Sequence, residues 1–179
     1  ASYISRLNYD FKRRYLLSAS MRADGSSRFA PKNRWGFFPA VSVGYIVSEE
    51  PFFTSLDGVI NFLKPRASYG IVGNAEIGDY SYVSSYSTLS YSSNTGITLS
   101  NLGDDQLTWE STRQLDIGLT WENFDGRISG EFDYYYKLTS DLLLPYPVSG
   151  MTGVSTVTRN IGEISNRGVE LMLNTVNVR

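Results

Sequence analysis

The feature that most constrains this chain is an alternation of period two that returns in segment after segment, with no long stretch of helical period to compete with it. In "YLLSASMRADGSSRFAPKNRWGFF" (residues 15–38), Tyr15, Leu17, Ala19, Met21 and Ala23 fall on one face of an extended chain, and Ser18, Ser20, Arg22 and Asp24 fall on the other. Residues 3–11 repeat the pattern with Tyr3, Leu7, Tyr9 and Phe11 against Arg6, Asn8 and Asp10. Residues 35–47 carry Trp35, Phe37, Val41, Val43, Tyr45 and Val47, and residues 63–71 carry Leu63, Ala67, Tyr69 and Ile71. Residues 109–121 set Trp109, Leu115, Ile117, Leu119 and Trp121 against Glu110, Thr112, Gln114 and Asp116. Residues 128–138 set Ile128, Phe132, Tyr134, Tyr136 and Leu138 against Glu131, Asp133, Tyr135 and Lys137, and Val169, Leu171 and Leu173 alternate at the end. The pattern predicts about seven strands. Only "SEEPFFTSL" reads as a short helical turn.

The connections sort by length. The first ("DFKRRY") and the fifth ("ENFDGR") are tight, and the third, 48–62, is intermediate. The second (24–34), the fourth (73–108) and the sixth (139–157) are long and polar. In an up-and-down meander, odd connections share one end of the sheet and even ones the other. A soluble sandwich gives no reason for that sorting, whereas an outer-membrane barrel has short turns on one side and long loops on the other.

The second face carries Arg6, Asn8, Asp10, Arg22, Lys64, Arg66, Glu110, Gln114, Asp116, Glu131, Asp133 and Lys137. Such a face cannot be a packed core. It fits bulk water beside a sandwich sheet, or a wet or plugged barrel lumen. The apolar stripes are near the length a tilted membrane strand needs, about 9–11 residues. Aromatic residues stand at their ends, where a bilayer has its headgroups. The candidate lipid-facing residues are Tyr9, Leu17, Met21, Val43, Tyr45, Leu115, Ile117, Leu119, Phe132, Tyr134 and Leu171. The competing architecture is a soluble, secreted β-sandwich acting as a carbohydrate-binding module. A small membrane-barrel enzyme is a third. Pro39 and Pro65 fall inside strands, where each removes a ladder donor, and are expected near a rim or a bulge.

Composition narrows chemistry more than fold. The chain has neither cysteine nor histidine, which removes disulfides, the usual zinc and haem ligands and any Ser–His–Asp triad. A net charge of −2 gives no electrostatic case for nucleic acid. No apolar run reaches the length of a membrane helix. No catalytic residue, cofactor site or metal site is assigned. Asp104 and Asp105, and Glu131 with Asp133, are carboxylate pairs with nothing to mark a raised pKa, and are expected to be solvated rather than catalytic. "DGSSRF" (24–29) lacks the spacing of a calcium or phosphate loop and reads as turn chemistry, with Arg22, Arg28 and Arg34 expected to pair with carboxylates of the polar face. Gly118, Gly162 and Gly168 are expected to serve curvature or bulges. "SSYSTLSYSSN" and "NTGITLSNLGDD" read as loop surface, and "DLLLPYPVSGM" as an apolar exposed loop.

Four phrases, in order, resemble one family. "DGSSRFAPKNRWGFFPAVSVGYIVSEEPF", "LKPRASYGIVGNAEIGDYSY", "LTWESTRQLDIGLTWENFDGRISGEFDYYYKLTSDLLL" and "NIGEISNRGVELMLNT" look like the barrel segment of SusC/RagA-type TonB-dependent outer-membrane transporters. The resemblance spans nearly the whole chain and is weakest at 85–100. It implies a fold class: all-β, an antiparallel meander of about seven strands forming an open segment of a barrel of about 22. Residues 1–179 would be one partial barrel domain, with signal peptide, plug and closing strand outside it, both ends reading as cuts. The resemblance implies a wall segment of an importer of glycans or peptides in the outer membrane of a Gram-negative bacterium. Its implied partners are outer-membrane lipid, a SusD-like surface lipoprotein at the long loops, and a TonB complex reached only through the missing plug.

Overall fold

Strand pairing follows the alternation almost residue for residue. The computed structural model describes residues 1–56, 58–91 and 94–177. In chain order the strands are β1 (Ser2–Phe11), β2 (Tyr15–Gly25), β3 (Trp35–Tyr45), β4 (Ile60–Asn74), β5 (Ser85–Tyr91), β6 (Asn94–Asn101), β7 (Glu110–Asn123), β8 (Ile128–Ser140), β9 (Leu143–Pro147), β10 (Thr156–Asn160) and β11 (Glu163–Thr175). Seven of them form one antiparallel sheet in the order β1-β2-β3-β4-β7-β8-β11. The expected short helical turn is present as two 3₁₀ segments, Val47–Glu49 and Pro51–Leu56.

Among the described residues the sheet is open. β1 pairs only with β2, and β11 only with β8, so each presents a free edge. No second layer covers either face, which removes the basis for the sandwich reading. The long connections differ from the expectation of plain loop. Residues 73–108 contain the hairpin β5–β6, and 139–157 overlap the hairpin β9–β10, each a separate two-stranded sheet. The hydroxyl-rich β5 and the proline-broken, apolar β9 carry little apolar-polar alternation, so periodicity could not reveal them.

The prolines also depart from expectation. Neither lies at a rim. The β3–β4 ladder runs only from Ala40–Gly70 to Gly44–Arg66, with Pro39 just before one end and Pro65 just beyond the other. The other ladders of this sheet extend over ten or more pairs. The two missing donors thus bracket the shortest seam, where they break no β3–β4 pair.

Candidate functional site

Because side chains opposite one another across a ladder share a face, the register can be followed across the whole sheet. One row reads Tyr9, Leu17, Val43, Ala67, Ile117, Tyr134, Val169. Every member is apolar or aromatic. The row on the opposite face, one residue away, reads Asn8, Ser18, Ser42, Ser68, Asp116, Tyr135, Gly168. All eleven candidate lipid-facing residues fall on the apolar face. Tyr9, Leu17, Met21, Val43, Ile117, Phe132 and Leu171 are exposed there, and Tyr45, Leu115, Leu119 and Tyr134 are half-buried among neighbours.

Aromatic rings cap that face at both ends. At the short-turn end Tyr15 stacks on Tyr45 with centroids 5.0 Å apart, and Phe11 lies 6.2 Å from Tyr15. At the long-loop end Tyr3 stacks on Trp35 at 5.9 Å. The Trp35 ring covers Gly25 and the Trp121 ring covers Gly130, each opposite it in the ladder, so a missing side chain leaves no gap in either belt.

The polar face is organised around Arg66. Its Nη2 donates to both carboxylate oxygens of Asp133, at 2.7 and 2.8 Å, and its Nη1 donates to Thr120 at 2.8 Å and to Glu131 at 3.3 Å. Arg66 reaches across β7 to carboxylates on β8. The strand between offers Gly118, where a Cβ would stand 2.2 Å from Asp133 Oδ1 and 2.7 Å from Arg66 Nε. That glycine is a passage for an ion pair, not a bulge. Gly168 makes similar room for the Tyr135 ring, and Gly162 is outside the strands with φ +80°. Glu131 and Asp133 therefore share the single guanidinium of Arg66. The polar face also holds one buried aromatic. Phe38 packs edge-on to Trp109 at 5.3 Å, with the Arg22 guanidinium over its ring at 5.4 Å.

The long loops carry the core that the sheet lacks. Phe29 is 0% exposed and Leu107 1%, and with Ile77 they form a cluster flanked by Ala75, Trp109 and Leu143. Each long connection contributes. Asn33 Nδ2 donates to the carbonyls of Gln106 and Leu107 at 3.3 and 3.0 Å. Asn160 Nδ2 donates to Thr108 O at 2.8 Å, and Asn160 Oδ1 accepts from Thr108 N at 2.8 Å. Trp109 Nε1 donates to Arg34 O at 3.2 Å. Ion pairs run between loops: Lys32–Asp105 at 2.9 Å, Arg28–Asp79 at 3.1 Å and Arg159–Asp104 at 3.3 Å. The Lys32 hydrogen bond and charge hold the Asp105 carboxyl below its ordinary value.

These contacts correct three sequence expectations. Arg22 pairs locally with Asp24, whereas Arg28 pairs with a loop carboxylate and Arg34 donates to the Phe29 carbonyl and, among the described residues, to no carboxylate. "DGSSRF" is more than a turn, because its Phe29 is the centre of the loop core. Asp104 is largely covered and tied to Arg159, whereas Asp105, paired with Lys32, is exposed to solvent as expected. The sequence signal for this core was an isolated Phe and an isolated Leu inside polar segments, each near Asn or Asp. Among the described residues no group of three or more acidic side chains could hold a metal ion. In "DLLLPYPVSGM" the expected apolar exposure is present at Leu144, Tyr146 and Met151, the last 97% exposed at the tip of its hairpin.

Comparison with known proteins agrees with this geometry. A family model described as TonB dependent receptor-like, beta-barrel, matches residues 2–178. TonB-dependent receptor P39 of Formosa agariphila is 43% identical over 174 residues, covering 97% of this chain and 17% of that receptor. TonB-dependent receptor SusC of Bacteroides thetaiotaomicron is 37% identical over 188 residues, covering 97% of this chain and 18% of SusC. The structure of the RagAB peptide importer in its closed-closed state superposes with a TM-score of 0.91 at 31% identity, covering 99% of this chain and 20% of that one. The chain thus spans less than a fifth of the length of these curated relatives. With strands, register and loop sorting all those of a barrel wall, the chain belongs to the TonB-dependent receptor-like β-barrel family.

Proposed function

We propose that this chain is a wall segment of a SusC-like importer of glycans or peptides in the outer membrane of a Gram-negative bacterium. Its apolar face meets the hydrocarbon of the bilayer, and its polar face lines the lumen. The observation that carries the reading is the seven-membered apolar row from Tyr9 to Val169, backed by a polar row one residue away. An exposed apolar stripe of that extent, with no layer over it, has no stable place in water. Spanning strands need every backbone group paired, so the free edges of β1 and β11 are continued by further strands in a complete barrel.

The role is not enzymatic. The carboxylate pairs are spent on ion pairs, and the relatives bear the names of receptors and importers. The long-loop end, rich in Tyr, Ser and Asn, is the side on which a SusD-like surface lipoprotein would sit. A TonB complex would act through a plug outside this chain. The structural relative RagAB is a peptide importer, which supports the peptide half of this reading.

The test uses a strain deleted for the gene encoding this chain. The protein is expected in the outer-membrane fraction, co-purifying with a surface lipoprotein, and the deletion is expected to abolish growth on oligosaccharides or on oligopeptides as sole source. Recovery in the soluble fraction, or undiminished growth on both classes, would overturn the proposal.

A further inference from the structure

The β3–β4 seam opens into a groove on the apolar face. Below the last ladder pair, Gly44–Arg66, a cavity of about 560 Å³ is walled by Tyr9, Leu17, Tyr45, Pro65, Ala67 and Ile117. Its depth has a simple origin. Ala67 presents only a methyl group, and Pro65 leaves the next ladder position without a donor. At its mouth stands the stacked pair Tyr15 and Tyr45.

The chain turns next to that mouth, and the turn is unusual. Arg14 N donates to Phe11 O across two central residues, Lys12 and Arg13, with φ +55° and +56°. Both central positions of such a hairpin turn need left-handed backbone, for which Asn-Gly is the favoured solution. Here two long cations occupy them, in a backbone region that L side chains rarely adopt. Both are exposed, and neither is in an ion pair among the described residues. Lys12 Nζ lies 5.3 Å from the Phe11 ring, above the aromatic belt. The neighbouring carboxylates are engaged elsewhere: Glu50 takes Arg14 at 3.0 Å and the Tyr15 hydroxyl at 2.9 Å, and Asp10 accepts from the Arg13 backbone.

We propose that the groove and the turn together form a site for one anionic phospholipid, its acyl chain seated between Tyr45, Pro65 and Ala67 and its phosphate held by Lys12 and Arg13. The inference rests on the reading of this face as bilayer-facing. The leaflet is fixed by geometry. The turn lies at the short-turn end, opposite the long loops, so the ligand comes from the leaflet on that side. An apolar slot ending in two cations at headgroup height complements a charged head on a hydrocarbon tail, and does not complement a neutral surface. A seam with only a short ladder gains cohesion from a chain wedged into it.

The experiment uses the complete barrel that carries this segment, delipidated in a mild detergent and titrated with phosphatidylglycerol or phosphatidylcholine, bound lipid being counted by native mass spectrometry. One phosphatidylglycerol is expected to remain bound at concentrations where phosphatidylcholine is stripped. The K12Q/R13Q variant should weaken its retention about thirtyfold, as expected for two lost headgroup contacts worth about 1 kcal/mol each. A67F should abolish it by filling the groove, and V43F serves the same purpose if A67F does not fold. Equal retention of both lipids, insensitive to these substitutions, would overturn the site. So would a dimer that A67F disrupts and that forms without lipid, because the groove's occupant would then be a second copy. Quenching by brominated lipid in vesicles, read in a variant whose other tryptophans are replaced by Phe so that only Trp121 emits, separates the two levels. Quenching without selective retention sinks the site alone, and absence of quenching sinks the bilayer reading itself.

Discussion

The sheet and its long loops obey opposite rules of burial. In the sheet, the row centred on Val43 and Ile117 is apolar yet exposed, and the row behind it is polar. In the loops, Phe29 and Leu107 are as deeply buried as any side chain of a soluble core. On the proposed reading the sheet takes its apolar environment from the bilayer, so its strands need no interior. The loops stand in water and must bring their own core, which they assemble from three separate connections. The difference teaches that loop length here does not mean looseness. The second, fourth and sixth connections form one bolted unit at the end of the sheet.

The largest expected effect lies in the loop half. Phe29→Ala empties a fully enclosed site and should cost the loop unit about 3–5 kcal/mol. Hydrogen exchange should rise together across 26–34, 75–109 and 141–162, while the ladder β7–β8 stays protected. Protection lost in the 26–34 loop alone would break the idea of a single unit. Next comes the wall. Ile117→Arg on the apolar face should cost about 2–4 kcal/mol in refolding into lipid vesicles. Ser42→Arg, on the opposite face, should cost far less, and equal costs would erase the distinction between the faces.

Smaller effects sharpen the comparison. Gly118→Ala puts a methyl group into the path of Arg66 and should cost about 1–3 kcal/mol through overpacking. Asp133→Ser combined with Arg66→Met should relieve most of it, because the pair for which the glycine makes room is then gone. The smallest is the loop ion pair. Lys32 depresses the Asp105 carboxyl, so its contribution is complete above the ordinary aspartate value near 4 and is lost as pH falls through the depressed folded value. Protease resistance of the 101–109 segment should therefore decline on acidification below about pH 4, and Lys32→Met should flatten that decline.

Much of the wall was legible because a period of two needs no partner to be read. "LDIGLTWE" declares its two faces before any strand is placed beside it, and the seven strands fall within a few residues of their expected bounds, except β11, whose pairing begins at Glu163 rather than near Val169. What stayed hidden depends on register between distant segments. The Arg66–Asp133 pair joins residues 67 apart, and Gly118 looks like curvature until that pair is laid across it. The hairpins β5–β6 and β9–β10 stayed hidden because "SSYSTLSY" and "PYPVSG" have no apolar stripe to alternate. The loop core stayed hidden because single apolar residues in polar segments have no period at all.

The central claim is that the apolar rows touch hydrocarbon. This segment contains no cysteine, so single cysteines at positions 42, 43, 67, 117 and 134 can each carry a nitroxide in the complete barrel reconstituted in lipid vesicles. Collision with dissolved oxygen, which concentrates in the bilayer, should be high at 43, 67, 117 and 134, with little collision with a water-soluble nickel chelate. Position 42, one residue from 43, should reverse or lose the oxygen signal. Labels at 43, 67, 117 and 134 that are shielded from both reagents, or that prefer the chelate, would contradict the account.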